Sequence, residues 1–212
     1  MTLAITDDQP APLLKATWVV GLAALFYLYE FFVRVTPASI THELMRDLHG
    51  NAASIGLMSG CFFAAYAPMQ MPAGWLCDRF GPKRLLTYAV LCCGLATMYF
   101  SYTDHIYTAS IMRFLIGLAS AFAFIGPLVL ATHWFAERHL STVAGVIQTL
   151  GCLGAIFAGE PITRLIEQFQ WRPVVLCSGL LGLVLAAIFA LGLKNSPQKS
   201  ARTAIQKPTQ WA

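Results

Sequence analysis

Six apolar runs of about twenty residues or more constrain the fold of this 212-residue chain more than any other feature. They lie at about Ala16–Ile40, Ala52–Trp75, Arg84–Tyr102, Ile106–Trp134, Leu140–Leu165 and Pro173–Leu193. A helix of ~20 apolar residues crosses the hydrocarbon core of a bilayer. Mid-run Gly, Ser and Pro are better tolerated in lipid than in water. A soluble bundle would need polar outer faces, which these runs lack, and only 11% of the chain is charged, against ~25% in soluble domains. The expected fold is all-α, with six transmembrane helices (spans 1 to 6) across residues 16–194. A short segment 1–15 precedes them and a polar tail 195–212, "NSPQKSARTAIQKPTQWA", follows as a linker.

Charge by position predicts the orientation. Lys15, Arg79, Lys83, Arg84, Arg138, Lys194, Lys199, Arg202 and Lys207 fall before span 1, between spans 2 and 3, between 4 and 5, and after 6. The opposite loops hold only Arg46, Arg164 and Arg172. Basic residues concentrate on the inner side, so both termini are expected in the cytoplasm, with a bacterial inner (cell) membrane as host. The net charge of +4 is thereby a topological signal, and no nucleic-acid partner is expected. The first run is too long for a secretory h-region and lacks a small-residue cleavage site, so it is read as a retained helix. Cys61, Cys77, Cys92, Cys93, Cys152 and Cys177 show neither CxxC nor Cys/His spacing, so no metal and no cofactor is expected.

Between spans 2 and 3 lies "GWLCDRFGPKRLL", a polar turn inside an apolar protein. Gly74 suits close helix approach and Gly81 suits positive φ in a tight turn. Arg79, Lys83 and Arg84 suit the inner interface. The stretch "AGWLCDRFGPKRLL" (73–86) echoes "AGEPITRLIEQFQWRPV" (158–174): each leaves a span through Ala-Gly and places an Arg five residues after that Gly. The two sit after spans 2 and 5, on opposite sides, as a three-plus-three inverted repeat would have them. Chance similarity is the alternative.

"GWLCDRFGPKR" resembles the G-x-L-x-D-R-x-G-x-[KR]-[KR] signature of the major facilitator superfamily, with Gly74, Leu76, Asp78, Arg79, Gly81, Lys83 and Arg84 filling it. "RFLIGLASA" resembles that family's R-x-x-x-G signature through Arg113 and Gly117, and "HWFAERHLSTVAG" and "QWRPV" resemble its entries to helices 5 and 6. The resemblance implies half of a two-half transporter, with alternating access by rocking of the halves. It also implies that Asp78 sits beside a helix N-terminus of a second six-helix half and holds the inner side shut. Small-residue stripes at Gly56, Gly60 and Ala64 in span 2, and at Gly151, Ala155 and Gly159 in span 5, suit either that boundary or packing within this half.

Glu30 and Arg34 lie inside span 1, where a charge costs ~2.5–3.5 kcal/mol on insertion scales. At i, i+4 they share a face, joined by Tyr27. One reading is a self-neutralising pair that locks span 1 against span 4 or 5. The other is a substrate site, in which Arg34 holds a carboxylate or phosphate and Glu30 tunes it or carries a proton. An Arg shortly before "TPASI" resembles the organic-anion and organophosphate branches of the family, with Glu30 as a departure. Arg113 is read equally as a proton-coupling residue or an interhelical strut, Glu160 as its partner or as an interfacial residue, and Pro127 as a kink in span 4. The functional expectation is secondary transport of a small organic anion, completed by a second copy or a separate chain. The alternatives are a non-transporting regulatory half and, more remotely, an intramembrane enzyme, for which no G-x-S-G or HExxH occurs.

Overall fold

Inside a bilayer each backbone N–H and C=O must be satisfied within the protein, so single runs cross it as helices. The structure, a computed structural model that describes residues 13–193, is built accordingly. Its elements are α1 (Leu13–Ser39), α2 (Thr41–Asp47), α3 (Ala52–Phe80), α4 (Pro82–Ser101), α5 (Ile106–Ser120), α6 (Phe122–Trp134), α7 (Glu137–Phe157), α8 (Glu160–Phe169) and α9 (Trp171–Gly192). Among the described residues, six helical stretches are long and apolar enough to cross a membrane. They are α1, α3, α4, α5 with α6, α7 with α8, and α9, which we number spans 1 to 6. The chain is a multi-pass membrane protein. Residues 1–12 and the tail, with Lys194, Lys199, Arg202 and Lys207, lie outside the described residues.

Two spans are interrupted where the sequence reading did not place a break. Span 4 is divided at Ala121, which keeps helical backbone angles and still donates to the Gly117 carbonyl at 3.3 Å, while Pro127 sits within α6. A proline removes its own N–H and crowds the carbonyl four residues earlier, which for Pro127 is that of Ala123 within α6. Span 5 breaks at Ala158–Gly159. Pro161 opens α8 without an N–H for the Phe157 carbonyl, and the Ser39 hydroxyl donates to the Ala158 carbonyl at 2.6 Å. Gly159 is therefore the N-cap of α8, beyond the last residue of α7, whereas Gly151 and Ala155 lie within α7. With 21 residues, α7 alone is ~31 Å long and can cross the hydrocarbon core.

Three helix pairs approach closely through glycine. A Cβ on Gly154 of span 5 would lie 2.0 Å from the Leu28 carbonyl oxygen of span 1. One on Gly117 of span 4 would lie 2.2 Å from the Phe62 carbonyl oxygen of span 2. In the third pair, Gly94 of span 3 meets Gly179 and Gly182 of span 6, with corresponding separations near 3 Å. The pairs 1–5, 2–4 and 3–6 map onto themselves when spans 1, 2, 3 are exchanged for 4, 5, 6, which is the symmetry of an inverted repeat. Burial follows the same exchange for spans 1 and 4 and for spans 2 and 5, less so for spans 3 and 6 at 50% and 33%. In their most apolar 18-residue stretches, spans 1 and 4 are 56% and 61% buried, but spans 2 and 5 only 22% and 17%. The open faces therefore belong to spans 2 and 5. Gly56, Gly60 and Ala64 are exposed on the first, and the two glycines have open space before them. On the second, Gly151 packs inward on the Tyr27 and Phe31 rings.

The repeat extends to backbone conformation. Gly81 ends α3 and starts α4 with φ 87° and ψ 136°. Gln170 does the same between α8 and α9 with φ 65° and ψ 163°, a region almost reserved to glycine. At the end of the bundle that carries α2 and α8, Ile40, Leu44, Ile162, Ile166 and Trp171 form a second apolar core. It is closed by polar clasps. The Trp171 indole donates to Asp47 Oδ2 at 2.8 Å and Arg46 Nε to Asp47 Oδ1 at 2.8 Å. Arg172 donates to the Ser101 carbonyl and to Asp104 Oδ1, both at 2.9 Å. The Arg46 bond, and then the Trp171 bond, hold the Asp47 carboxyl below its ordinary range.

Replacing Gln170 with Gly should raise the thermal midpoint in detergent, because a strained non-Gly conformation costs ~1–3 kcal/mol. Gly81→Ala should lower it. A depressed carboxyl contributes stability above its ordinary pKa and loses it as pH falls through its folded value. The stability gap between wild type and Trp171→Phe should therefore narrow as pH falls from 7 to 3; a constant gap would show that the clasp does not depend on the Asp47 charge.

Candidate functional site

A charge pair placed one helical turn apart inside lipid must face protein rather than acyl chains. Glu30 is fully buried, and Arg34 is 17% exposed. Arg34 Nε donates to Glu30 Oε1 at 2.7 Å. The guanidinium lies between three rings, with its carbon 4.5 Å from the Phe31 centroid, 4.3 Å from Tyr66 and 5.3 Å from Phe62. Flat, delocalised charge stacks on aromatic faces, which an ammonium would do less well. Span 2 supplies Phe62 and Tyr66, and Ser120 of span 4 stands beside the Glu30 carboxylate. The pair thus faces spans 2 and 4.

The pairing uses one edge of each group. Glu30 Oε2 and Arg34 Nη2 are buried and have no protein hydrogen-bond partner. A planar fork of N–H donors is the geometry that recognises a carboxylate or phosphate; here Nη2 of that fork makes no protein hydrogen bond, with the Tyr66 and Ser120 side chains beside the pair. Tyr27 joins the site from the preceding turn. Its hydroxyl donates to Gln148 Oε1 of span 5 at 3.0 Å, and its ring packs edge-on against Phe31 at 4.8 Å and tilted against Phe124 at 5.2 Å. Gln148, Tyr66 and Ser120 escaped the sequence reading. The signal for Gln148 was available, since an amide within an apolar span needs a polar partner.

The remaining candidates lie apart from this cluster. Arg113 is 3% exposed and donates from Nη1 to the Val33 carbonyl at 3.1 Å. Arg113 and Thr97 line a cavity of about 10 Å³, and Arg113 Nε has no protein hydrogen-bond partner. Glu160 pairs with Arg164 at 3.1 Å on the exposed surface, and so is not the partner of Arg113. At the opposite end from α2 and α8, Asp78 and Arg84 are exposed, and Gly74, Gly81 and Lys83 partly so. Arg79 lies over the Trp75 and Phe80 rings at 5.1 and 5.6 Å. Among the described residues Asp78 forms no ion pair.

Known families and proteins bear on this arrangement. The family description "Major Facilitator Superfamily" matches residues 20–212. The chain is similar to the probable sulfoacetate transporter of Cupriavidus necator, at 26% identity over 89% of this chain and 44% of that protein. It is similar to the probable galactarate/D-glucarate transporter of Escherichia coli, at 25% identity over 81% of this chain and 40% of that protein. It also resembles the quinolone resistance transporter of Acinetobacter baumannii, at 27% identity over 88% and 44%. The chain spans less than half the length of each of these relatives.

Removing one member of a buried ion pair strands the other as an uncompensated charge, at ~3–5 kcal/mol. Arg34→Met should therefore destabilise the protein more than the double substitution Glu30→Gln with Arg34→Met does. Thermal unfolding of the four members of the cycle in detergent checks this, and strict additivity would mean that the two side chains do not depend on each other.

Proposed function

Because the chain belongs to the major facilitator superfamily, we propose that it is the substrate-binding half of a secondary transporter that moves a small organic anion across the cell membrane. The observation that carries this reading is Arg34 Nη2, buried without a protein hydrogen-bond partner on a guanidinium fixed between aromatic rings inside a membrane span. Two of the relatives carry sulfoacetate and galactarate or D-glucarate in their names, all of them anions whose acid groups such a donor fits. In this reading Tyr27 shapes the site beside Arg34, and Glu30 carries the proton. While Glu30 is ionised, the pair is neutral. Protonation leaves Arg34 with a net positive charge for the incoming anion.

The open faces of spans 2 and 5 seat a second six-helix half, from another copy or from further polypeptide. Asp78 lies where such a half could approach the loop Gly74–Arg84 and close the inner side. The excess of Lys and Arg on one set of loops puts both termini in the cytoplasm.

The test is uptake of labelled D-glucarate and sulfoacetate into cells that carry the native protein with its complete set of spans. Arg34→Ala should cut uptake about tenfold or more, the worth of a charge-assisted hydrogen bond. Glu30→Gln should flatten the dependence of uptake on external pH. Unchanged anion uptake in Arg34→Ala would sink the reading.

A further inference from the structure

Pro37 lies inside α1, and proline brings no N–H to the helix. The carbonyl that residue 37 would have bonded belongs to Val33, next to Arg34. Val33 is 3% exposed, so no bulk water reaches it. Its carbonyl is answered from another helix: Arg113 Nη1 of α5 donates to it at 3.1 Å. Arg113 is itself buried, and among the described residues no carboxylate lies within ion-pair distance of it. Its guanidinium carbon sits 5.1 Å from the Phe100 centroid. The cation is thus spent on a backbone oxygen, and its charge strengthens that hydrogen bond.

We propose that Arg113 replaces the N–H missing at residue 37 and is a positioning residue for Arg34. An unanswered carbonyl beside a proline lets a helix bend away from its axis. Anchored to α5, the turn from Glu30 to Arg34 keeps its height and rotation, and the Arg34 guanidinium stays between Phe31, Phe62 and Tyr66. The functional half of this inference rests on Arg34 as the anion site; the structural half does not. Arginine suits the position because its charge is delocalised and weakly hydrated and its fork reaches across the helix interface.

The experiment is a rescue. Pro37→Ala restores a backbone donor for the Val33 carbonyl, so Arg113→Leu should be harmful in the wild-type background and mild in the Pro37→Ala background. Thermal unfolding of the full-length protein in detergent should show Arg113→Leu lowering the midpoint by about 3 °C or more when Pro37 is present, and by less than half as much in Pro37→Ala. If Arg113→Leu cannot be recovered folded alone but can be when combined with Pro37→Ala, the inference is upheld. Equal loss in both backgrounds, or failure to fold in both, overturns it. Arg113→Lys, which keeps a charge and a donor, should fall between wild type and Arg113→Leu only when Pro37 is present. In D-glucarate uptake, Arg113→Leu should raise KM severalfold with little change in the maximal rate, and Pro37→Ala should bring KM back. A stability rescue alongside Arg34→Ala that leaves uptake intact would reject the anion site and keep the role of Arg113; an absent stability rescue rejects that role whatever Arg34 does.

Discussion

The structure depends on one constraint above others: within the bilayer no water is at hand to satisfy a backbone group that a helix leaves unpaired. The carbonyl orphaned by proline in span 1, and the break in span 5, are each met by a side chain from a neighbouring span. The Val33 carbonyl, orphaned by Pro37, takes a guanidinium from α5. The Ala158 carbonyl, at the break ahead of Pro161, takes the Ser39 hydroxyl at the end of α1. Both repairs involve span 1, so the helix that carries Glu30 and Arg34 is tied to spans 4 and 5 at its irregular points.

The same constraint explains the economy of the charged site. Glu30 and Arg34 neutralise each other along one edge, and aromatic rings cover the faces of the guanidinium. What is left over is directional: a donor nitrogen on one group and an acceptor oxygen on the other. The irregular backbone of span 1 lies within one turn of this pair, so the stiffness of the site and the soundness of the helix have a common origin.

Features set by a single residue type within its own segment were legible in the sequence. The six spans followed from hydropathy, the bend at Gly81 from its Gly-Pro context, and the Glu30–Arg34 pair from i, i+4 spacing. Features that need two distant segments were not. Gly154 looks like any membrane glycine until Leu28 is placed against it, and Asp47 reads as a solvated acid until the Trp171 indole arrives 124 positions later. The helix break at Ala158–Gly159 was hidden because the apolar run continues through it. Gln170 was hidden for the opposite reason: glutamine is a poor fit to its conformation, and only the partner bend at Gly81 gives it meaning.

The pairing of spans 3 and 6 has a geometric consequence of its own. It is the one close pair whose two members the repeat exchange swaps with each other, so the pseudo-two-fold axis must run through its crossing. Counted from the shared bends at Gly81 and Gln170, Gly94 lies 13 residues on and Gly182 lies 12, and these are the glycines that meet there. An axis that relates inverted repeats lies in the plane of the membrane, midway between its faces. The contact of Gly94 with Gly182 is therefore the point at which such an axis would pass through the bundle.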